Sequence, residues 1–311
     1  MLSTSRSPTS ISARTVFLVN PASGNGSTGR RWPQLERRAS ELGLIGELLL
    51  SEHPGHLTEL ARRAAGDDTL LVVVGGDGTL NEVINGVADL GAEIAVLPAG
   101  TGQDFGRTYG IPAKFEDAVR VALHGATLTV DLGRVTFRTH EGDEGLHYFA
   151  NSASAGMSGA VAKRANEMSK ALGGKATFYA ALVREFVSWQ NTEVTVVLDG
   201  VERRGLMHDV IVANGRFAGG GMQLAPGAKP DDGLFDAILI GDINKLDFVT
   251  TSPKLYSGRY IDHPKVEVMR SASVTVTAPV NLPIELDGEQ VGTTPARFEI
   301  VPAALRLRVP V

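Results

Sequence analysis

Residues 72–82 read VVVGGDGTLNE, and this stretch decides the fold. Three consecutive valines after Thr69, Leu70 and Leu71 form the continuously apolar run of a strand buried on both faces of a sheet. Gly75 and Gly76 end it. Thr79 and Glu82 match the S/T-x-x-E capping box, and Leu80, Val83, Ile84 and Val87 recur at helical spacing, so a helix is expected from Thr79 or just after. A helix N-terminus gathers unpaired backbone N–H groups and the positive end of the helix dipole, which suits a phosphate. Gly75, Gly76 and Gly78 leave room for one to approach. Asp77 is then out of place unless a cation stands between the two negative charges, and Mg²⁺ carried by a nucleotide supplies one. A plain glycine-rich turn, with Asp77 as a local turn former, accounts for the same residues, because one such loop matches many proteins.

The surrounding sequence repeats this pattern. TVFLVN, LIGELLL, TLLVVV and EIAVLPA alternate with the helix-like segments WPQLERRASEL, HLTELARRAA, LNEVINGVADL and KFEDAVRVALHG. Continuously apolar strands alternating with helices predict a doubly wound α/β domain with a parallel sheet over 14–129. Ligands bind beyond the carboxyl ends of such strands. Asn20-Pro21-Ala22-Ser23-Gly24 and Gly100-Thr101-Gly102-Gln103-Asp104 stand at the same expected edge as the GGDGT loop. Three converging loops argue for a nucleotide more strongly than one, although no Walker-type G-x-x-x-x-G-K-[ST] occurs.

After about Thr129 short β-prone runs separated by Gly, Pro and Asp turns predict a mostly antiparallel β domain over 130–296, interrupted by helical inserts. In one insert Phe178, Leu182, Phe186 and Trp189 form an apolar helical stripe, read as core in preference to a lipid-facing surface. Two hairpin signals share a sequence, Leu198-Asp199-Gly200 and Leu286-Asp287-Gly288, and differ in the next residue, Val201 against Glu289. A turn gives no reason for glutamate at that place. Transfer of a phosphoryl group to an alcohol does, since a carboxylate can accept the hydroxyl proton. Asp231-Asp232-Gly233 is likewise either a turn or a source of oxygen ligands.

At 311 residues the chain can bury two domain cores, and 36 glycines leave weight to its loops. A net charge of −5 argues against a nucleic-acid footprint. The absence of cysteine excludes disulfides, thiolate metal sites and cysteine nucleophiles. Residues 1–13 read as a loose Ser/Thr-rich tail without the apolar segment of a signal peptide, and no apolar run has the length of a membrane span. Arg30, Arg31, Arg37 and Arg38 read as a solvated helix face.

GGDGTLNEVINGV, with NPASG before it and PAGTGQDFGR after it, resembles the diacylglycerol kinase catalytic-domain family, which includes bacterial lipid kinases and the sphingosine and ceramide kinases. NGRFAGGGMQLAPGAKPDDGLFDAILI and IELDGE extend the resemblance through the second domain, so it covers roughly residues 15 to 311. GGDGT alone is shared with NAD kinases; the ordered set of motifs is far more specific. The resemblance implies an NAD kinase-like fold whose C-terminal strand, about 297–311, returns to the first domain. It implies an ATP- and Mg²⁺-dependent kinase acting on a lipid hydroxyl, with diacylglycerol the leading substrate and phosphatidic acid the product. The alternatives are an NAD kinase-like kinase of a soluble substrate and a nucleotide-binding regulator without catalysis.

Residue by residue, the resemblance assigns nucleotide binding to Asn20, Pro21, Ala22, Ser23, Gly24, Ser51, Gly75, Gly76, Asp77, Gly78, Thr79, Leu80, Asn81 and Thr101. It assigns a metal and water network to Asp77 and Asp104, and the catalytic base to Glu289. A structural Mg²⁺ would be held by the Asp232 carboxylate and the main-chain carbonyls of Lys229 and Leu234. Where the family usually has Asn before the aspartate of the third loop, this chain has Gln103. A lipid substrate implies a cytoplasmic protein in transient contact with a membrane surface, and a homodimer is compatible with the sequence.

Overall fold

The valines of residues 72–74 lie in a strand in which every residue is buried. The computed structural model describes residues 14–100, 103–168 and 174–311; Thr101, the N-terminal tail and the side chain of Phe178 lie outside the described residues. The chain divides into two units, Met1–Leu132 with Pro302–Val311, and Gly133–Val301.

The first unit alternates strand and helix: β1 (Arg14–Val19), α1 (Ser27–Glu41), β2 (Glu47–Leu50), α2 (His56–Ala64), β3 (Thr69–Gly75), α3 (Asp77–Val87), β4 (Glu93–Pro98), α4 (Asp104–Tyr109), α5 (Phe115–His124) and the start of β5 (Ala126–Arg138). The strands pair in parallel in the order β2-β1-β3-β4, and Arg306 and Leu307 pair in parallel with the far side of β4. Valine-rich strands suit the interior of such a sheet because both faces are covered, and α2 packs on α3 as α1 packs on α5. The order reverses between β1 and β3, and a crevice at such a reversal is where open α/β sheets bind ligands.

The second unit is β-rich. Its remaining elements are β6 (Glu144–Phe149), β7 (Ser152–Gly156), α6 (Met157–Glu167), α7 (Gly174–Ser188), β8 (Thr192–Leu198), β9 (Val201–Met207), β10 (Asp209–Ala213), β11 (Phe235–Ile240), α8 (Lys245–Thr251), β12 (Val266–Ser271), β13 (Ser273–Thr277), β14 (Pro283–Leu286) and β15 (Glu289–Val309). One antiparallel layer runs β12-β11-β10-β7-β14 and on to the start of β15; a second runs β9-β8-β13 and joins β15 farther along, at 296–299. Period-two alternation sends Val194, Val196 and Leu198 of β8 and Val274 and Val276 of β13 inward to meet Ala153, Ala155, Val210 and Val212 in one core. The opposite face of β10 is covered as well: Ile211 and Ala213 pack with Ala225, Ala228 and Tyr260.

Two expectations change. Helix α3 begins at Asp77, two residues before Thr79, with Gly76 at its N-cap and no side-chain cap. The capping box does not form because Glu82 turns to α2, where its carboxylate accepts the Leu57 N–H at 3.3 Å. Among the described residues, no helix is long and apolar enough to cross a membrane.

Candidate active site

The parallel register sets the geometry of the first unit's loops. Val19 pairs with Val74, and Val74 with Leu97, so β1, β3 and β4 end level with one another and their loops emerge side by side. After β1, Asn20 forms a tight turn: its Oδ1 accepts the Ala22 N–H at 3.0 Å and its carbonyl accepts the Ser23 N–H at 3.2 Å and the Ser23 hydroxyl at 2.9 Å. Ser23 Oγ also lies 2.6 Å from Thr28 Oγ1, which in turn stands 3.1 Å from the Ala99 carbonyl, and this hydroxyl chain ties the first loop to the third. Ser51 is buried and extends the β1–β2 ladder through its N–H to the Val19 carbonyl, 3.0 Å.

In the GGDGT loop the glycines have different reasons. A Cβ on Gly75 would overlap the Thr79 side chain at the start of the same loop's helix, and one on Gly100 would stand 2.7 Å from Gly76 Cα, so Gly75 and Gly100 are small because of local packing. Gly78 is exposed and a Cβ there would meet nothing within 4 Å, so this glycine is the one that leaves clearance for a ligand. The first backbone acceptor of α3 is the Gly76 carbonyl, which takes the Leu80 N–H at 3.1 Å. The N–H groups of Asp77, Gly78 and Thr79 precede it and are the donors a phosphate would meet. Leu80 contributes core: its side chain is buried and its N–H is already used. Asn81 is buried one turn into the helix, its carbonyl and Oδ1 both accepting from Asn85 Nδ2.

Asp77 is not an anion stranded in an anion site. Its carboxylate accepts the N–H groups of Asp104 at 3.1 Å and Phe105 at 3.2 Å, so it caps α4 across the loop. The Asp104 side chain is only 7% exposed and its Oδ1 is held by Arg107 at 2.5 Å. Gln103 occupies the left-handed region at φ 73, with its side-chain amide donating to the Gly100 carbonyl at 3.3 Å. Asn adopts that conformation far more readily than most residues, so the family's usual Asn has a backbone reason.

In the second unit, the two Leu-Asp-Gly hairpins turn out to be the same device. Asp287 and Gly288 have φ 48 and 97, Asp199 and Gly200 have φ 45 and 89, the backbone of a type I′ turn in each case. The Asp287 carboxylate accepts the N–H groups of Ala150, Asn151 and Ser152 at 2.8, 2.9 and 3.1 Å; that of Asp199 accepts Ala272 and Ser273, both at 2.9 Å. Each aspartate therefore clamps a neighbouring strand, and Glu289 closes its turn by backbone pairing with Leu286. Its carboxylate is exposed and accepts Asn166 Nδ2, from α6, at 3.1 Å; the same amide reaches the Gly288 carbonyl at 3.3 Å. Beneath the turn, Glu285 accepts the Gly288 N–H and, at 3.1 Å, the Ser154 hydroxyl. Its carboxyl is enclosed although the residue is partly exposed, and this desolvation pushes its pKa up to about 8.

Asp232 lies in the loop before β11, three strands of the sheet away from β14 and four from β15, which separates it from Glu289. Arg270 donates to Asp232 Oδ2, while Oδ1 is buried and has no hydrogen-bond partner among the described residues. An orphaned carboxylate oxygen at Asp232 is a hard donor of the kind that suits Mg²⁺. Asp77 and Asp104 offer the same oxygen chemistry in the first unit. Among the described residues, no group of three or more His, Asp or Glu side chains gathers closely enough to hold a metal by side chains alone.

Residues 14–135 match the family model described as the diacylglycerol kinase catalytic domain, and residues 151–309 match the YegS C-terminal NAD kinase beta sandwich-like domain. A diacylglycerol kinase of Staphylococcus carnosus is 30% identical over 288 residues, 92% of this chain and 91% of the relative. The chain belongs to the diacylglycerol kinase family. A second relative named diacylglycerol kinase, from Mycobacterium tuberculosis, is 29% identical over 300 residues, 94% of each chain. The crystal structure of a diacylglycerol kinase from Bacillus anthracis has the same fold, with a TM-score of 0.69 over 95% of this chain and 96% of that one at 20% identity. For this member of the diacylglycerol kinase family, sequence reasoning missed three supporting groups. Arg107 stands at i+3 from Asp104, a spacing that signals a helical ion pair. Asn166 and the clamp made by Asp287 join residues more than 120 positions apart and leave no local signal.

Proposed function

We propose that this protein transfers the γ-phosphoryl group of ATP to the hydroxyl of a membrane lipid, diacylglycerol first among them. The observation that carries the reading is the level ending of β1, β3 and β4 at the strand-order reversal, with open Gly78 and the N–H groups of Asp77, Gly78 and Thr79, unpaired among the described residues, at its centre. Family membership supports the rest. Those backbone donors would hold the phosphates and the turn of Asn20 to Gly24 would close over them. Ser51, Asn81 and Thr101 complete the proposed nucleotide site.

Glu289 would accept the proton of the lipid hydroxyl as its oxygen forms a bond to the γ-phosphorus. The bond from that phosphorus to the bridging oxygen breaks, and ADP leaves with the electron pair. Asn166 would hold the Glu289 carboxylate in place. Mg²⁺ bound with the nucleotide would neutralise phosphate charge; Asp77 and Asp104 would bind it or its waters, and Asp232 would hold a separate, structural ion. The lipid would be met at a membrane surface by transient association. The test is γ-labelled ATP incubated with total lipid extract and the purified protein. Label in the organic phase, identified as phosphatidic acid, is expected. Label confined to water-soluble product would make it a kinase of a soluble substrate, and ATP binding without transfer would make it a regulator.

A further inference from the structure

Helix α7 is apolar on its outer side as well as its inner one. Leu182 and Phe186 are buried, while Tyr179, Val183 and Val187, at successive i+4 positions, are 41, 38 and 64% exposed. Helix α8 buries none of its residues, and its Leu246 and Val249 are 72 and 65% exposed. The rings of Phe186 and Phe248 stack with centroids 3.9 Å apart, which sets the two helices side by side. A soluble surface helix normally turns a polar face to water, and apolar exposure of this kind on two neighbouring helices marks an interaction site.

The charges around this patch identify its partner. Within α7 and residues 244–257 the acids are Glu185 and Asp247. Both are neutralised, Glu185 by Arg164 at 2.6 Å and Asp247 by Lys265 at 2.6 Å. Arg184, Lys245 and Lys254, with Lys163 on the adjoining α6, are exposed and form no ion pair among the described residues; the exposed Glu167 and Asp242 nearby offset part of this charge and leave the surroundings of the patch net basic on a chain whose net charge is −5. Association with a second copy of this chain through the same surface would set these cations against their own counterparts. Exposed Val and Leu beside such Arg and Lys side chains are the composition that lies on an anionic bilayer, the apolar side chains entering the interface and each basic residue strengthening attachment about fivefold.

We propose that α7 and α8 form the surface by which this protein docks on anionic lipid bilayers. The inference rests on the lipid-kinase reading for its purpose and not for its evidence. The test is flotation of the nucleotide-free protein with vesicles of phosphatidylcholine alone and with about one third phosphatidylglycerol. Val183→Ser with Val187→Ser, Leu246→Ser with Val249→Ser, and Arg184→Glu with Lys245→Glu are compared with the native protein. The native protein is expected to bind anionic vesicles at least about tenfold more strongly than neutral ones, and to weaken as salt is raised from about 0.1 to 0.5 M. Each paired variant is expected to lose at least about tenfold in binding, with an unchanged melting temperature and unchanged activity on a short-chain diacylglycerol in detergent micelles. No binding by the native protein, or native-like binding by the variants, overturns the proposal. So does a concentration-dependent dimer that the serine variants abolish. A protein that floats with vesicles and phosphorylates no micellar lipid would overturn the kinase reading and leave the docking surface standing.

Discussion

Asp77 caps the helix that Asp104 begins: its two carboxylate oxygens accept the Asp104 and Phe105 N–H groups at 3.1 and 3.2 Å. The residue thus has a fold role that is separable from its proposed part in metal and phosphate binding. Asp77→Ala should cost about 1 kcal/mol of stability, the usual loss for a removed cap, whereas Asp77→Asn keeps one acceptor oxygen and should lose less than half of that. Turnover should fall alike in both. Chemical denaturation beside an activity assay separates the two roles; equal stability of Asp77→Ala and the native protein would refute the cap.

Glu289 joins its turn through backbone pairing with Leu286, and Glu289→Gln keeps both that pairing and an acceptor for Asn166, so this replacement should spare the fold. Glu289→Gln is expected to lower turnover by about 10²–10⁴-fold, the usual contribution of a general base, with nucleotide affinity unchanged. Asn166→Ala, which removes the amide 3.1 Å from Glu289, should lower turnover by a smaller factor. Undiminished turnover in Glu289→Gln would remove the base assignment.

The paired hairpins provide a control that the molecule itself contains. Asp287→Ala and Asp199→Ala each delete a carboxylate that binds backbone N–H groups of the adjacent strand, and both should lower the melting temperature. Asp287 accepts three such bonds and should cost roughly 2 kcal/mol or more. Only Asp287→Ala should also depress turnover, because only that turn carries Glu289.

Strand, loop and helix order could be read directly from the first unit, since continuously apolar strands and helical periodicity are local properties of Leu70–Val74 and Leu80–Val87. The position of the GGDGT loop beside NPASG followed from the same pattern. What could not be read is how loops pack on each other. Thr79 and Glu82 look like a capping pair, but Glu82 finds the Leu57 N–H instead, and Asp77 caps a helix 27 residues downstream. Gly75 looks like phosphate clearance and instead makes room for the Thr79 side chain. Such choices depend on neighbours that only the sheet brings together.

Glu285 supplies a pH dependence. Burial raises its folded pKa from 4.5 to about 8, and burial raises that of Asp209 from 3.8 to about 6. The folded state then holds more protons than the unfolded one, so the stability from each group is complete below its unfolded pKa and is lost as pH rises through the folded one. Between pH 6 and 8 Glu285 dominates this loss, with a limiting slope of about 1.4 kcal/mol per pH unit. Glu285→Gln should flatten the slope there and leave the part due to Asp209 between about pH 4 and 6. Urea unfolding across that range measures it, and an unchanged slope in the variant would assign the dependence elsewhere.

Gly78 offers the sharpest separation of fold from ligand. It sits in the first turn of α3 with nothing within 4 Å of the place a Cβ would take, and its backbone is not left-handed. Helix propensity alone favours alanine there by up to about 1 kcal/mol, so the fold gives no reason for glycine. A methyl group at that place would take up the open space next to Gly78's own N–H, one of the donors proposed for phosphate. Gly78→Ala should therefore leave the melting temperature equal or raised while weakening ATP binding measured by calorimetry. Gly100→Ala should instead destabilise the protein, since its Cβ would press on Gly76 Cα at 2.7 Å. ATP affinity unaltered by Gly78→Ala would move the phosphates away from the start of α3, and the nucleotide reading would then have to rest on the Asn20–Gly24 turn.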